Sequence, residues 1–108
     1  MNRPIPIKDL PHSAIYSTIT SDEFGNKTSI DIPLTRVRFE STKKTMLSSL
    51  GEGKDDKFLM FFDIKNSRPL NQEFTKLDKI TFNGVSLTMR EIIPEYERTL
   101  HHYEIMLN

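Results

Sequence analysis

The chain has 108 residues, with 15 basic side chains against 15 acidic ones, so it lacks the overall positive charge of a dedicated nucleic-acid binder. It has no cysteine, which excludes disulfides, thiolate metal sites and cysteine nucleophiles together. At 36% apolar and 28% charged residues it reads as one small globular domain over 1–108, and no run approaches the roughly 20 apolar residues of a membrane helix.

The opening segment, Met1 to Ser13, contains Pro4, Pro6 and Pro11. Proline fixes φ and lacks an amide donor, so this stretch is expected to be an extended arm rather than a helix. It carries Arg3 and Lys8 without an apolar stretch behind them, which is not the pattern of a secretory signal. Ala14 to Thr20 is rich in β-branched and aromatic residues and predicts a strand. Ser21 to Asn26 has turn chemistry, since Gly25 and Asn26 tolerate positive φ, and the two segments together predict a hairpin.

The returning strand runs from Lys27 to about Glu40. Ile30, Ile32 and Leu34 alternate on even positions, whereas Val37 and Phe39 fall on odd ones. One buried face cannot change parity without an extra residue, which predicts a bulge or bend between Pro33 and Arg36. Pro33 also places this stretch at an edge or a break. Ser41 to Asp56 loses the alternation and ends in Gly51-Glu52-Gly53, so a long loop is expected, with room for a short helix around Met46, Leu47 and Leu50.

Lys57 to Ile64 contains Phe58-Leu59-Met60-Phe61-Phe62, which leaves neither strand face polar. Such a strand is covered on both sides, by the core and by a loop, the N-terminal arm or a neighbouring subunit. Asn66 to Asn71 reads as a loop. Lys79 to Phe82 and Val85 to Met89 flank Asn83-Gly84, the preferred type I′ hairpin turn. A loop around Pro94 to Arg98 then precedes a last strand, Leu100 to Leu107, with Tyr103, Ile105 and Leu107 on one face. The sum is an all-β fold, a small antiparallel barrel or sandwich of five to six strands.

Candidate chemistry is sparse. His101 and His102 are adjacent, and in a regular strand they point to opposite faces, so they are not expected to chelate one ion; His12 lies far away in sequence. No serine sits in a Gly-x-Ser-x-Gly elbow, and Gly51-Glu52-Gly53 lacks the rest of a phosphate-binding loop. No catalytic, metal or cofactor-binding residues are therefore assigned, and the chain reads as a non-enzyme. Asp63 is expected to accept turn amides in the Asn66-Ser67 loop, and Asp78 to cap the turn leading into the last hairpin. An OB-like barrel could stack single-stranded bases on exposed aromatics. However, Phe82 and Tyr103 fit buried faces, and Phe58 to Phe62 has no basic interleaving.

The ordered set Phe61-Phe62-Asp63-x-x-Asn66-Ser67-x-Pro69, then Asp78-x-Ile80-x-Phe82-Asn83-Gly84, then Leu100-His101-His102-Tyr103-Glu104-Ile105-x-Leu107 resembles the minor capsid proteins of tailed bacteriophages and prophages. These look related to head–tail joining (head-closure, or stopper) proteins. Pro11-His12-Ser13-Ala14 and Leu34-Thr35-Arg36-Val37-Arg38 agree in outline, and the pattern departs at Leu87-Thr88-Met89, where an aromatic residue is expected.

The resemblance implies a structural virion protein that needs no cofactor. It would form a ring at the head–tail junction, joining the portal or adaptor to the tail and helping to retain packaged DNA, after assembly in the host bacterial cytoplasm. It would meet the DNA only indirectly and no membrane. A tail-completion or tail-terminator subunit is the alternative, with an OB-like single-stranded nucleic-acid-binding module behind it. On this reading Phe58, Met60, Phe61, Phe62, Ile5 and Ile7 are the candidate protein interface. Lys43, Lys44, Met46, Leu47 and Lys54 belong to a loop facing the channel or the next ring, and Asp63, Asn66, Asp78, Asn83 and Gly84 are structural turn residues.

Overall fold

A computed structural model describes residues 3–41 and 58–108. The expected loop residues Lys43, Lys44, Met46, Leu47 and Lys54, and the short helix considered there, lie outside the described residues.

Six strands follow one another along the chain: β1 (His12–Ser21), β2 (Lys27–Ser41), β3 (Phe58–Asp63), β4 (Lys79–Phe82), β5 (Val85–Glu97) and β6 (Thr99–Leu107). They close into a barrel in the order β1-β2-β3-β6-β5-β4, with every pairing antiparallel. Closure disposes of edges that an open sheet would leave exposed. β4, only four residues long, is the staple: it pairs with Ile15–Ser17 of β1 and with Val85–Thr88 of β5.

The parity change in β2 is a bulge at Arg36. Ser13 pairs with Thr35 but His12 with Val37, so Arg36 is the extra residue, with φ of 58°. The bulge turns Leu34, Val37 and Phe39 all into the core. Its carbonyl does not go unpaired: the buried Ser67 hydroxyl donates to Arg36 O while accepting the Asp63 N–H at 2.9 Å. Thr35 and Arg68 exchange backbone hydrogen bonds beside it.

Alternation in β3 sends Met60 and Phe62 inward, at 0% and 1% exposure, and leaves Leu59 and Phe61 on the outer face. The inward row continues across β6 through Ile105 and Leu107 and meets Ile80, Leu87 and Met89 from the last hairpin. Burying such side chains contributes about 1.5–3 kcal/mol each. The long connection from β3 to β4 skips two barrel positions. It brings in Phe74, whose ring packs edge-on against Tyr16, Phe62 and Tyr103 at 5.1, 5.2 and 5.9 Å. A second group stacks Phe39 on Phe82 at 3.9 Å, with His12 edge-on to both.

Two expectations are corrected. Residues 94–98 are not a loop: β5 runs on to Glu97, and the reversal is confined to Arg98 at φ 70°. Pro94 is accommodated there because, among the described residues, β5 beyond Met89 pairs with β6 alone, which leaves one edge for a residue without an N–H. The N-terminal arm is not uniformly extended either. Ile7–Asp9 makes a 3-10 turn, closed by Asp9 N–H to Pro6 O and Leu10 N–H to Ile7 O, and Leu10 is buried behind it.

Candidate functional site

Two surfaces stand out. The first is the far end of the β1–β2 hairpin. β4 supports β1 only as far as Ser17, and β3 supports β2 only from Val37. From Thr18 to Ile30 the hairpin is therefore a bare two-stranded ribbon, joined through pairs such as Thr18 with Ile30 and Ser21 with Lys27. A ribbon of this kind is marginal in water by itself. It nonetheless carries large apolar side chains in solvent: Ile19 at 62%, Ile30 at 41% and Phe24 at 80% exposure.

The turn holding Phe24 is tightly organised. The Asp22 carboxylate accepts the Phe24 and Asn26 amides at 2.8 and 2.9 Å and the Asn26 side-chain amide at 3.2 Å. Gly25, at φ 84°, supplies the conformation that closes it. The Asn26 and Phe24 amides hold the Asp22 carboxyl below its ordinary value of 3.8. A fixed turn thus presents a bare phenyl ring at its tip. Sequence reasoning named the turn residues but passed over Phe24, whose signal was an aromatic placed among turn formers.

The second surface lies where the N-terminal arm meets β3 and β6. Asp63, wholly buried although it sits on the outer side of β3, accepts the Ile5 N–H at 2.9 Å and the Lys65 and Asn66 amides at 3.1 and 2.8 Å. Asn66 returns a bond from its side-chain amide to Ile5 O at 2.8 Å. His101 reaches Arg3 O at 2.5 Å. The arm is held here by its backbone groups; Ile5 is half-buried and Ile7 stands half in solvent.

Beside the arm, Phe61 lies between Arg38 of β2 and Glu104 of β6, its ring 5.9 Å from that of His102. Ile5, Asp9, Arg38, Glu40 and Phe61 line a shallow groove there. Arg38 and Glu40 form an ion pair at 2.9 Å, a half-exposed contact that contributes at most about 1 kcal/mol.

Of the expected interface residues, Phe61 and Ile5 line this groove, while Ile7 lies half-exposed in the 3-10 turn of the arm. Met60 and Phe62 are consumed by the core, and Phe58 packs against it from the barrel's inside. Asn83 and Gly84 take positive φ at 52° and 80°, the backbone of a type I′ turn. Asp78 engages its turn through the backbone, donating N–H to Thr75 O. Its carboxylate goes instead to the Tyr16 hydroxyl at 2.6 Å, a contact that spacing did not reveal.

The expectation that His101 and His102 point apart is overturned. Glu95 pairs with His102 but Tyr96 with Leu100, so His101 is the extra residue of a bulge in β6. The bulge cancels alternation locally and brings the two Nδ1 atoms to 2.7 Å. His102 Nε2 lies 2.9 Å from Glu104 Oε2. Among the described residues, no group of three or more His, Cys, Asp or Glu is placed to hold a metal ion. Nor is any described helix long and apolar enough to cross a membrane.

A closed antiparallel barrel with a projecting apolar ribbon and a docked arm presents surfaces suited to protein contacts. Comparison with known families agrees. The chain matches the minor capsid protein family over residues 6–107 and belongs to it. It is thus a structural virion protein of a phage, a role that implies no catalysis. A search of curated proteins finds no match.

Proposed function

We propose that the chain is a head–tail connector subunit, a head-closure barrel that self-associates into a ring and joins the portal-side adaptor to the tail, helping to retain packaged DNA. The β1–β2 ribbon carries this reading: Ile19, Phe24 and Ile30 are exposed on a stretch that neither β3 nor β4 flanks. Large apolar groups displayed in this way mark surfaces that a protein partner covers. In a ring, that partner is the next subunit or the adjoining ring. The flank around Phe61, Arg38 and the arm supplies a second contact region, and ring closure needs two different faces per subunit.

The aromatic rings argue against single-strand binding. Phe39 with Phe82, and Phe74 with Tyr16, Phe62 and Tyr103, are each other's partners. Among the described residues the strongly exposed rings are Phe24 and Tyr96, on different strand ends, rather than a row on which bases could stack.

The test is a phage carrying Phe24→Ser and Ile19→Ser in this chain, examined by electron microscopy with a gold-labelled copy as position marker. A head-closure role gives filled heads that lose DNA and lack tails, with label at the head–tail junction in wild-type particles. Label at the distal end of the tail, with stable filled heads in the variant, would assign the chain to tail completion instead.

A further inference from the structure

The tip of the β1–β2 ribbon is acidic as well as apolar. Around the exposed Phe24 stand Asp22 and Glu23, against a single cation, Lys27, at the start of β2. The Asn26 and Phe24 amides hold the Asp22 carboxylate, so its charge is fixed at the tip.

The turn that follows β3 has the opposite character. Lys65 and Arg68 are exposed there. Arg36 of the β2 bulge is exposed beside them, since Ser67 bonds to Arg36 O and Thr35 pairs with Arg68. Leu70, 57% exposed, follows at once. Among the described residues no carboxylate pairs with any of these three cations; the Arg68 guanidinium donates to the Lys65 and Ser67 carbonyls. Asp63, two residues before Lys65, is wholly buried and accepts three amides.

We propose that the acidic, phenyl-bearing tip of one copy seats on the basic turn of the next, with Phe24 against Leu70 and Glu23 among Arg36, Lys65 and Arg68. This rests on the ring reading above and names the two surfaces that meet in it. Apolar contact at the centre supplies affinity, and the opposite charges around it set the orientation. Within one chain the contact is out of reach. Eight residues of β1 separate the Ser13–Thr35 pair, beside Arg68, from the Ser21–Lys27 pair at the tip, about 25 Å at strand spacing. Two different patches meet, so the contact is head-to-tail, the kind that closes a ring when the rotation permits.

Other surfaces suit this tip less well. The groove beside Phe61 sets Asp9 and Glu40 against the single Arg38, so an acidic tip is repelled there. The β5–β6 reversal also carries an exposed ring, Tyr96, with Glu97 and Arg98 beside it. That hairpin leaves from the base of its own basic turn, where the Ile64 N–H bonds to His101 O, and it makes the control.

The chain has no cysteine, so introduced thiols report single contacts. Phage particles carrying Phe24→Cys with Leu70→Cys are oxidised mildly, and their protein is separated without reductant. The expected result is a ladder of covalent oligomers beyond the dimer, with a 24–70 disulfide found by peptide mass spectrometry. Each single variant should stop at the dimer or below, and Tyr96→Cys with Leu70→Cys should give no ladder. Particles of the first pair without oligomers, or an equal ladder through position 96, would overturn the contact. A lysine-reactive cross-linker on wild-type particles separates this from the ring reading. Oligomers with the reagent but none through 24–70 reject the contact, keep the ring and leave the basic turn to another virion component. Oligomers with neither reject both. Should the cysteine variants stay out of particles, charge reversal decides. Glu23→Lys and Lys65→Glu should each lower the copies per particle about fivefold, and the two together should restore them. A double variant no better than either single one overturns the pairing.

Discussion

The Tyr16 hydroxyl donates to the Asp78 carboxylate at 2.6 Å while accepting the Thr75 N–H at 3.1 Å. Through these two bonds the inward face of β1 is tied to the end of the connection that leads into β4. β4 closes the barrel with few backbone pairs, so this side-chain link reinforces its thinnest seam. Tyr16→Phe keeps the ring but leaves the Asp78 carboxylate and the Thr75 amide short of a partner. It is expected to cost about 1–2 kcal/mol. Urea unfolding of Tyr16→Phe, Asp78→Ala and the double variant checks it: a coupling energy near zero would show that the two residues act independently.

The same phenol gives a pH prediction. Burial, followed by the hydrogen bond to Asp78, raises the Tyr16 hydroxyl above its ordinary value of 10.0. The folded chain then holds this proton more tightly than the unfolded chain does. The associated stabilisation is complete below pH 10.0 and is lost as the pH rises through the folded value. Absorbance titration should show one tyrosine ionising late, and Tyr16→Phe should remove that late component.

Ser67→Ala strips the Arg36 bulge of its donor and the Asp63 N–H of its acceptor. Both groups are then left unpaired, and a loss of about 2–4 kcal/mol is expected. Hydrogen exchange at Asp63 should accelerate with it. A loss below about 0.5 kcal/mol would mean that the bulge is held by the Thr35–Arg68 pairing alone.

Gly84→Val puts a β-branched side chain at φ 80°, where nothing lies within 4 Å of the added Cβ. Sterics with neighbours play no part, so the cost is that of the left-handed backbone, about 1–2 kcal/mol. The Val85–Phe82 pairing should fray before the rest of β5, read by exchange of the β4 amides.

Phe24→Ser should leave thermal unfolding within about 0.5 kcal/mol of wild type, because the ring buries little surface in the chain itself. Incorporation into particles should nevertheless fall, as measured by mass spectrometry of purified virions. A variant that assembles normally would remove the tip from the contact surface.

The strands were legible because their signals are local. β-Branched and aromatic composition located β1, alternation located β2 and β6, Asn83-Gly84 fixed the β4–β5 turn, and the parity break between Ile30-Ile32-Leu34 and Val37-Phe39 called for a bulge or bend. The reversal at Arg98 was not legible, because Pro94 signals a break unless the neighbouring edge happens to be free. That freedom depends on β4 being too short to accompany β5 beyond Thr88.

By itself, the sequence determined an all-β chain with a parity-breaking second strand, and through its ordered motifs the minor capsid family. Only the tertiary structure decided which apolar residues remain for partners. The apolar run Phe58 to Phe62 predicts cover on both faces without saying which residues face the core; closure of the barrel places Phe58, Met60 and Phe62 inside and leaves Phe61 and Leu59 outside. It also decided that Phe24 stands bare and that His101 meets His102. The reason is physical: alternation tells which residues share a face, but which face is inside, and where a bulge cancels alternation, depends on pairing between strands far apart in the chain.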